Sequence, residues 1–475
     1  MRRRAAVLVA LCVLVVVGFY ARSAVSYGKP LAPNHAPFYG NFQNPIADAL
    51  LDHQLSLKVT PPPGLLALPN PYDPIANDPY RAQGIHDLSL NKGKLYSYFG
   101  PAPAILLYIP FRIFRVGDLS PTIATLVFAT LGFLFSLALL RRLVRWWEVD
   151  LPPWMQCVAV LTLGLGIPMA WLVYIGRDYE SSIACGYMLL FAGLYFLARG
   201  ALGKSNAGFL ALGSLALGFA VAARPTMIVG GIFVAAALII VLRAREHTRR
   251  RIALVAALVT PYVVMGVLVA LFNYARFGSV TEFGQSYQLT LIDYRTYPFG
   301  RWSYLPKGVF YYLFSPGRWL SHFPYLFLRK NVFDPVYIAQ APPGTNLYQN
   351  EPVAGLVTNM PVTGIGFVLL ATGIRGVARR LPRAIPTVVL LTVPAVLMLL
   401  LTSYQLRGTT MRYELDFAPL ICLGSVLGWV AWSRIPHRAA WITWFGHAVW
   451  LAALAASIAF SFAITFTPCA GTGSC

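Results

Sequence analysis

Acidic residues occur in a polar stretch, 21–120, that separates two strongly apolar segments of the chain. Six of the 17 acids lie in this stretch, including Asp48 and Asp87. A further acid, Asp178, lies in a short polar turn at 174–182. A carboxylate placed beside an attacking hydroxyl can accept its proton as a general base. We therefore take Asp48, Asp87 and Asp178 as the candidate catalytic residues.

Cationic and aromatic side chains accompany these acids. Arginine and lysine form charge-assisted hydrogen bonds to phosphate, which are among the strongest in proteins. Aromatic rings could stack on a sugar and orient it. A divalent cation could also stabilise a departing phosphate, and the sequence leaves its presence open. The substrate-binding candidates are His86, Lys94, Tyr96, Tyr98, Arg177, Glu180 and Arg224.

The composition places these residues in a membrane protein. Hydrophobic residues make up 57% of the chain and charged residues 12%, whereas soluble domains are about a quarter charged. Apolar stretches of about 20 residues are long enough to cross a bilayer. They predict an all-α polytopic membrane protein that forms one membrane domain, 1–475. The eleven predicted spans are 5–21, 121–140, 154–173, 181–198, 207–223, 226–242, 253–274, 357–374, 384–402, 415–432 and 440–463.

The charge distribution predicts how the spans are oriented. Alternate connections carry 19 of the 38 basic residues and only three of the acids, and connections of this kind face the cytoplasm. We therefore expect a multi-pass protein of the cell membrane (inner or plasma membrane), with a cytoplasmic N-terminus and the C-terminus outside. The net charge of +21 is then a topology signal and an attraction to anionic lipid head groups. We expect no nucleic-acid partner.

Two long outward loops follow from this topology, a first loop at 22–120 and a second loop at 275–356. Within the first loop, 101–116 is apolar but short for a span, and counting it as one would reverse every later connection. We therefore predict a helix that lies in the membrane interface. The second loop mixes aromatic residues with arginines, as is typical of the head-group zone.

Several other features exclude classes of function or leave alternatives open. The basic start followed by an apolar segment favours a retained anchor over a cleaved signal peptide. The chain has no metal-ligand motif and no P-loop, which argues against a nucleotide-driven pump. The charged turns also have structural explanations: Glu414 and Asp416 suit the positive end of a helix dipole, and Arg224 could snorkel to the interface. The oligomeric state is not indicated.

A membrane bundle that carries a carboxylate-bearing outward loop suits a lipid-linked substrate, whose tail stays in the bilayer while its head reacts outside. A polyprenyl-phosphate sugar is such a substrate. We therefore expect an inverting glycosyltransferase that moves the sugar to a lipid, glycan or protein acceptor. Two alternatives remain. A transporter or flippase for lipid-linked glycans would place charges inside the bundle, and a non-catalytic assembly protein is favoured if the three aspartates lie far apart.

The order of these features resembles a known family. Residues 93–103 read Gly-Lys-Leu-Tyr-Ser-Tyr-Phe-Gly-Pro-Ala-Pro just before the second span, and residues 176–180 read Gly-Arg-Asp-Tyr-Glu after the third. With one span followed by a long outward loop, this layout resembles the GT-C-type integral membrane glycosyltransferases, in particular protein O-mannosyltransferases and lipid A aminoarabinose transferases. The resemblance covers about residues 1–275 and implies a polyprenyl-phosphate donor.

One departure from that family concerns the base. In the family the catalytic aspartate precedes a helix of the type found here at 47–55, yet residues 41–44 read Asn-Phe-Gln-Asn. Amides can bind sugar hydroxyls but cannot act as a general base. The resemblance therefore leaves the role to Asp48, Asp87 or Asp178, or it implies a protein without transferase activity.

Overall fold

The chain is an all-α polytopic membrane protein, as the sequence predicts. The computed structural model describes residues 2–25, 41–114, 117–244, 246–296, 304–322, 325–328, 349–366, 368–369, 408–434 and 440–466. Within these ranges, seven helices are long and apolar enough to cross a membrane. They are Arg4–Val25, Pro121–Trp146, Pro153–Ile175, Asp178–Ala201, Pro225–Arg243, Thr248–Phe277 and Trp441–Thr465.

Four of the eleven predicted spans are not among these seven. Two of them form shorter apolar helices, Ala207–Ala223 and Ala418–Trp432. The predicted span 384–402 lies outside the described residues, as do residue 367 and residues 370–374 of the predicted span 357–374. The number of eleven therefore stays a prediction.

Helices dominate the secondary structure, and the strands are short. In chain order the helices are α1 (Arg2–Val25), α2 (Gln43–Leu51), α3 (Pro63–Leu66), α4 (Asp78–Tyr80), α5 (Ile109–Phe114), α6 (Pro121–Trp146), α7 (Pro153–Leu165), α8 (Met169–Ile175), α9 (Asp178–Ala201), α10 (Ala207–Ala223), α11 (Gly231–Arg243), α12 (Thr248–Phe277), α13 (Leu305–Val309), α14 (Leu356–Asn359), α15 (Met411–Glu414), α16 (Ala418–Trp432) and α17 (Ala440–Thr465). The strands are β1 (Leu88–Asn91), β2 (Lys94–Ser97), β3 (Arg318–Trp319), β4 (Leu326–Phe327), β5 (Gln349–Asn350) and β6 (Gly408–Thr409).

Helix α9 lies at the centre of the bundle. Its span is 83% buried, whereas that of α12 is only 11% buried among the described residues. Small residues allow the close packing at the centre, as is common between membrane helices. Gly193 and Gly200 face α10, where Leu217 and Leu210 fill the space that a Cβ would need. Glycines at seven-residue spacing in α9 therefore let α10 pack closely against it at the centre of the bundle.

The two outward loops are joined to each other by backbone hydrogen bonds. In the first loop, β1 and β2 form an antiparallel hairpin that pairs Leu88 with Ser97. The second loop adds an isolated bridge between Ser89 and Gln288, and the Leu289 N–H donates to the Leu88 carbonyl at 2.8 Å. These contacts bring together residues that are about two hundred positions apart in the sequence.

The apolar stretch that was predicted as an interfacial helix, 101–116, is helical over Ala104–Phe114. It begins with a wider helical turn, Ala104–Tyr108, and continues as α5. At this length it is too short to cross the hydrocarbon region. Its place in the membrane interface, and the division into loops at 22–120 and 275–356, stay predictions.

Gly100 is where the first loop meets the bundle. A Cβ on Gly100 would collide with the backbone carbonyl of Ala222 at the end of α10. Because a backbone carbonyl cannot rotate away as a side chain does, Gly100→Ala is expected to destabilise the protein by about 1–3 kcal/mol. Thermal unfolding in detergent measures this effect. Gly93→Ala is a poor control because Gly93 has a positive φ, whereas Gly18→Ala meets nothing within 4 Å and should leave the melting temperature unchanged.

Candidate functional site

Asp87 lies directly before β1, where the two outward loops meet. Its φ is +66°, a backbone conformation that is costly for a non-glycine residue and is often found at functional sites. Gln288 donates from Nε2 to Oδ1 at 2.9 Å, and the Tyr179 hydroxyl donates to Oδ2. His86 lies beside it, with Nε2 3.6 Å from Oδ1. The side chain of Asp87 keeps 12% of its surface exposed, so this hydrogen-bonded carboxylate remains accessible to solvent.

Tyr179 connects Asp87 to an arginine. The guanidinium carbon of Arg412 lies 5.0 Å from the centre of the Tyr179 ring, within the range of a cation–π contact. Arg412 also donates from Nη2 to Oε1 of Glu351 at 2.7 Å. Its Nη1 lies 3.9 Å from Oε1 of Glu180, which is only 1% exposed. A base and a cation therefore share one tyrosine.

The charge of Arg412 is secured by its neighbours. Burial alone would lower the pKa of Arg412, but the nearby Glu351 and Glu180 carboxylates, together with Tyr413 and Tyr179, raise it above its usual value. The guanidinium is therefore a permanent cation in this layer. One of its nitrogens, Nε, is buried and has no hydrogen-bond partner among the described residues.

A second arginine, Arg224, lies close to another tyrosine of the cluster, Tyr413. Arg224 donates from Nε and Nη2 to Oδ2 of Asp416, at 2.9 and 2.6 Å. Its guanidinium carbon lies 5.1 Å from the ring centre of Tyr413, and that of Arg412 lies 5.8 Å from the same ring. Two cations therefore flank one aromatic ring, an arrangement suited to binding an anion such as phosphate.

Buried tyrosines line the same region. Burial raises the pKa of Tyr98 well above its usual value, and the Asp87 charge raises it further. Burial and then Asp87 act on the pKa of Tyr294 in the same direction. These hydroxyls therefore stay protonated and can donate hydrogen bonds. The Tyr98 ring packs against Phe99 with ring centres 4.3 Å apart, and Phe99 meets Tyr179 edge-on at 5.1 Å. Such a wall suits the apolar face of a sugar.

Asp178 is fully buried at the first turn of α9, and its carboxylate holds the first loop in place. Its Oδ2 accepts the backbone N–H groups of Phe42 and Gln43, the latter at 3.0 Å, and its Oδ1 accepts from the Tyr108 hydroxyl at 3.1 Å. The two N–H groups begin α2, so Asp178 caps that helix from a distant segment. Both oxygens are engaged and the residue is fully buried, unlike Asp87, whose side chain keeps part of its surface exposed. This favours a positioning role.

Replacing Asp178 by alanine is expected to loosen α2 from the bundle. The change removes the acceptor of three hydrogen bonds, two of them from the start of a helix, and should cost about 3 kcal/mol of stability. Thermal unfolding and limited proteolysis of the first loop measure it. Asp178→Asn keeps one carbonyl acceptor and should lose less. An alanine variant as stable as the natural protein would contradict this assignment.

Asp48 belongs to a separate ionic cluster. Arg112 binds it through two hydrogen bonds, from Nε to Oδ1 at 2.7 Å and from Nη2 to Oδ2 at 2.6 Å. The Nη1 of the same guanidinium lies 2.8 Å from Oδ1 of Asp118. Arg112 therefore bridges both carboxylates and joins α2 to the helical stretch that ends with α5. This ion triad ties elements of the first loop together.

The described residues do not offer a metal centre. No group of three His, Cys, Asp or Glu side chains in that part of the chain could hold a metal ion. The carboxylates that come together, Asp48 and Asp118, have an arginine between them.

The remaining candidates divide between the cluster and its surroundings. Lys94 is exposed at the start of β2, and Tyr96 is buried against Phe277 with ring centres 5.5 Å apart. Arg177 is half-buried and donates its backbone N–H to Glu180 at 3.1 Å. The structure brings together His86, Asp87, Tyr98, Glu180 and Arg224. It places Asp48, Lys94, Tyr96 and Asp178 outside that group, and the roles of all these residues stay predictions.

Sequence reasoning missed several members of the cluster. Arg412 and Tyr413 stand in the polar turn before α16, and an arginine just ahead of the two acids Glu414 and Asp416 was the available signal. Glu351 lies near the end of the second loop, and Tyr179 lies between two residues that were selected. Gln288 carries no signal that would separate it from other polar loop residues.

Comparison with known proteins supports the fold. No protein-family model matches the sequence, and no curated protein matches it. Among solved structures, the oligosaccharyltransferase of Archaeoglobus fulgidus in its apo form is similar over 99% of this chain and 57% of its own, with 13% identity and a TM-score of 0.52. ArnT of Cupriavidus metallidurans, bound to undecaprenyl phosphate, covers 94% of this chain and 63% of its own, with 13% identity and a TM-score of 0.47.

The first of these structures shares the fold. The chain spans about half the length of that oligosaccharyltransferase, 57% of it. At 13% identity the likeness concerns the arrangement of the helices and not the chemistry. At that level it confirms the GT-C-type resemblance that the sequence suggested.

Proposed function

We propose that this protein is a membrane glycosyltransferase that moves a sugar from a polyprenyl-phosphate donor to an acceptor hydroxyl on the outer face of the membrane. One observation carries the proposal: Asp87 lies in one connected cluster with Arg412 and Arg224. This transfer needs a base and two cations that bind phosphate. Here these residues come from segments that lie far apart in the sequence. The shared fold agrees with the proposal, although a fold alone does not determine function.

Asp87 takes the role of general base. The acceptor hydroxyl attacks the anomeric carbon of the sugar, and a carboxylate oxygen of Asp87 takes its proton. The bond from the anomeric carbon to the phosphate oxygen breaks, and its electron pair stays on the phosphate. A single displacement of this kind inverts the anomeric configuration. Tyr179 and Gln288 each donate one hydrogen bond to the carboxylate and fix its orientation.

Arg412 and Arg224 bind the phosphate that leaves. Both are paired with carboxylates, and their guanidinium groups lie on the Tyr413 ring. Fixed cations stabilise charge that develops on the leaving group at no cost of reorganisation. The lipid tail remains in the bilayer, next to the helices that carry these side chains. Tyr98 and its aromatic neighbours hold the sugar.

The other predicted residues support this site from outside. Asp178 and Asp48 hold the first loop against the bundle through the contacts described above. The acceptor is a lipid, a glycan or a protein. The site lies on the outer face of the cell membrane and the N-terminus lies in the cytoplasm, as the charge distribution predicts.

A transfer assay tests the proposal against the transporter alternative. The full-length protein is placed in proteoliposomes with a radiolabelled polyprenyl-phosphate sugar and a membrane extract as the source of acceptors. We expect label to leave the polyprenyl phosphate and appear in a new product. Label that crosses the bilayer while still attached to its lipid would contradict the proposal and favour a flippase.

A further inference from the structure

The end of the second loop is attached to the turn that carries Arg412. We call residues 349–354 the strap. Strand β5 at its start pairs in parallel with β6, and the backbone N–H of Glu351 donates to the Thr409 carbonyl at 2.8 Å. The strap thus places one acidic side chain directly over the cationic turn.

Both carboxylate oxygens of Glu351 bind this turn. Oε1 accepts from Arg412 Nη2 at 2.7 Å, and Oε2 accepts from the Thr410 hydroxyl at 2.6 Å. Arg412 has two acidic partners of different character. The Glu180 side chain is 1% exposed, whereas that of Glu351 is 44% exposed. Glu351 is therefore the partner that water can solvate and that can leave the guanidinium at low cost.

The proposed transfer changes the charge that Arg412 meets. The donor is a phosphodiester with one negative charge. When the anomeric carbon–oxygen bond breaks, the electron pair stays on the phosphate. The lipid product is a monoester that carries close to two negative charges at neutral pH. A fixed cation binds the product more tightly than the donor, which would slow turnover unless another anion competes for the same guanidinium.

We propose that Glu351 is this competitor: its carboxylate returns to Arg412 and displaces the polyprenyl-phosphate product. The inference rests on the proposed function, in which Arg412 holds the leaving phosphate. It makes Glu351 a residue that sets the affinity for the lipid product. A merely structural Glu351 would have the opposite effect, since its loss would leave Arg412 less well positioned and would weaken binding of the phosphate.

The test is direct binding of undecaprenyl phosphate to the full-length protein in nanodiscs. Glu351→Gln removes the charge but keeps the backbone bond to Thr409, and it should bind this lipid about fivefold more tightly than the natural protein, the effect expected for a half-exposed ion pair. Glu351→Asp retains the charge on a shorter side chain and should give a smaller gain. Unchanged or weaker binding in Glu351→Gln overturns the proposal.

Two controls isolate the contact with Arg412. Asp52→Asn removes the same charge from an exposed ion pair with Lys58 on the first loop and should leave binding unchanged. In an Arg412→Gln background, Glu351→Gln should give no gain, because the shared guanidinium is gone. A gain of the same size there would overturn the proposal and point to a general field effect.

The outcomes also separate this inference from the function on which it rests. Natural protein that binds undecaprenyl phosphate no better than phosphatidylglycerol contradicts both the proposed donor and this inference. Natural protein that binds undecaprenyl phosphate selectively, with no gain in Glu351→Gln, contradicts only the role of Glu351. Selective binding with the gain supports both.

Discussion

Asp87→Asn is expected to reduce sugar transfer by about 10²–10⁴-fold, the usual contribution of a general base, while the protein stays folded. Asparagine has the shape of aspartate and can still accept a hydrogen bond from Tyr179 or Gln288, so the junction of the two loops should survive. It cannot take the proton of the acceptor hydroxyl. The transfer rate from a radiolabelled polyprenyl-phosphate sugar measures the loss, and binding of undecaprenyl phosphate should remain close to that of the natural protein.

The other two aspartates provide the matched comparison. Asp48→Asn breaks the ion pair with Arg112 and Asp178→Asn weakens the cap of α2, so each should lower stability more than it lowers the rate per folded molecule. Asp73→Asn changes an acid whose carboxylate, among the described residues, binds only loop backbone, and it should change neither quantity. If Asp48→Asn loses more activity than Asp87→Asn, the base belongs to α2. Full activity in Asp87→Asn would remove it from the mechanism.

The membrane architecture is largely predictable because it depends on local composition. Runs of about 20 apolar residues mark spans, and the predicted span 121–140 lies within the observed helix Pro121–Trp146. The stretch 101–116 was recognised as too short for a span because of the charge rule, and it forms the helix Ala104–Phe114. Composition does not distinguish the membrane interface from the membrane interior, so the location of this helix in the interface stays a prediction.

The candidate site is less predictable because its contacts join distant segments. Asp87 is held by Gln288 from the second loop, and no local pattern relates these two positions. Asp178 was selected as an acid at membrane depth, yet its oxygens cap a helix that begins 135 residues earlier. That kind of capping leaves no trace in the sequence around the aspartate. Selecting acids by residue type therefore identifies the carboxylates but does not tell which groups each of them binds.

The amides at 41–44 illustrate the same point. Sequence reasoning noted that no carboxylate stands there. In the structure, Asn44 binds the Leu119 backbone through both ends of its amide, with its Nδ2 2.9 Å from the carbonyl and its Oδ1 2.9 Å from the N–H. Its Nδ2 also donates to Asn41 at 2.8 Å. An aspartate could not donate to a carbonyl, so the amide fits a structural task at this position. The base is therefore free to lie elsewhere in the loop.

Arg412→Gln is expected to lower transfer by about 10²–10³-fold, the effect of removing one donor that stabilises developing charge. The loss has a chemical and a structural part. The leaving phosphate loses a cation, and the buried Glu180 loses a cationic neighbour. Arg412→Lys separates the two parts, because lysine keeps the charge but cannot reproduce the planar fork of the guanidinium. It should recover stability and only part of the rate.

Arg295 is the matched control for this prediction. It too pairs with a carboxylate, that of Asp293, and its guanidinium carbon lies 3.9 Å from the centre of a tyrosine ring, that of Tyr72. It therefore has the same chemistry on a carboxylate and a tyrosine that Arg412 does not contact among the described residues. Arg295→Gln should leave the transfer rate and the binding of undecaprenyl phosphate unchanged. If it lowers both as much as Arg412→Gln does, the effect of Arg412 is one of loop integrity. If Arg412→Gln alone lowers both, the guanidinium acts on the phosphate itself, and Tyr413 with its two arginines is the place where the leaving group is held.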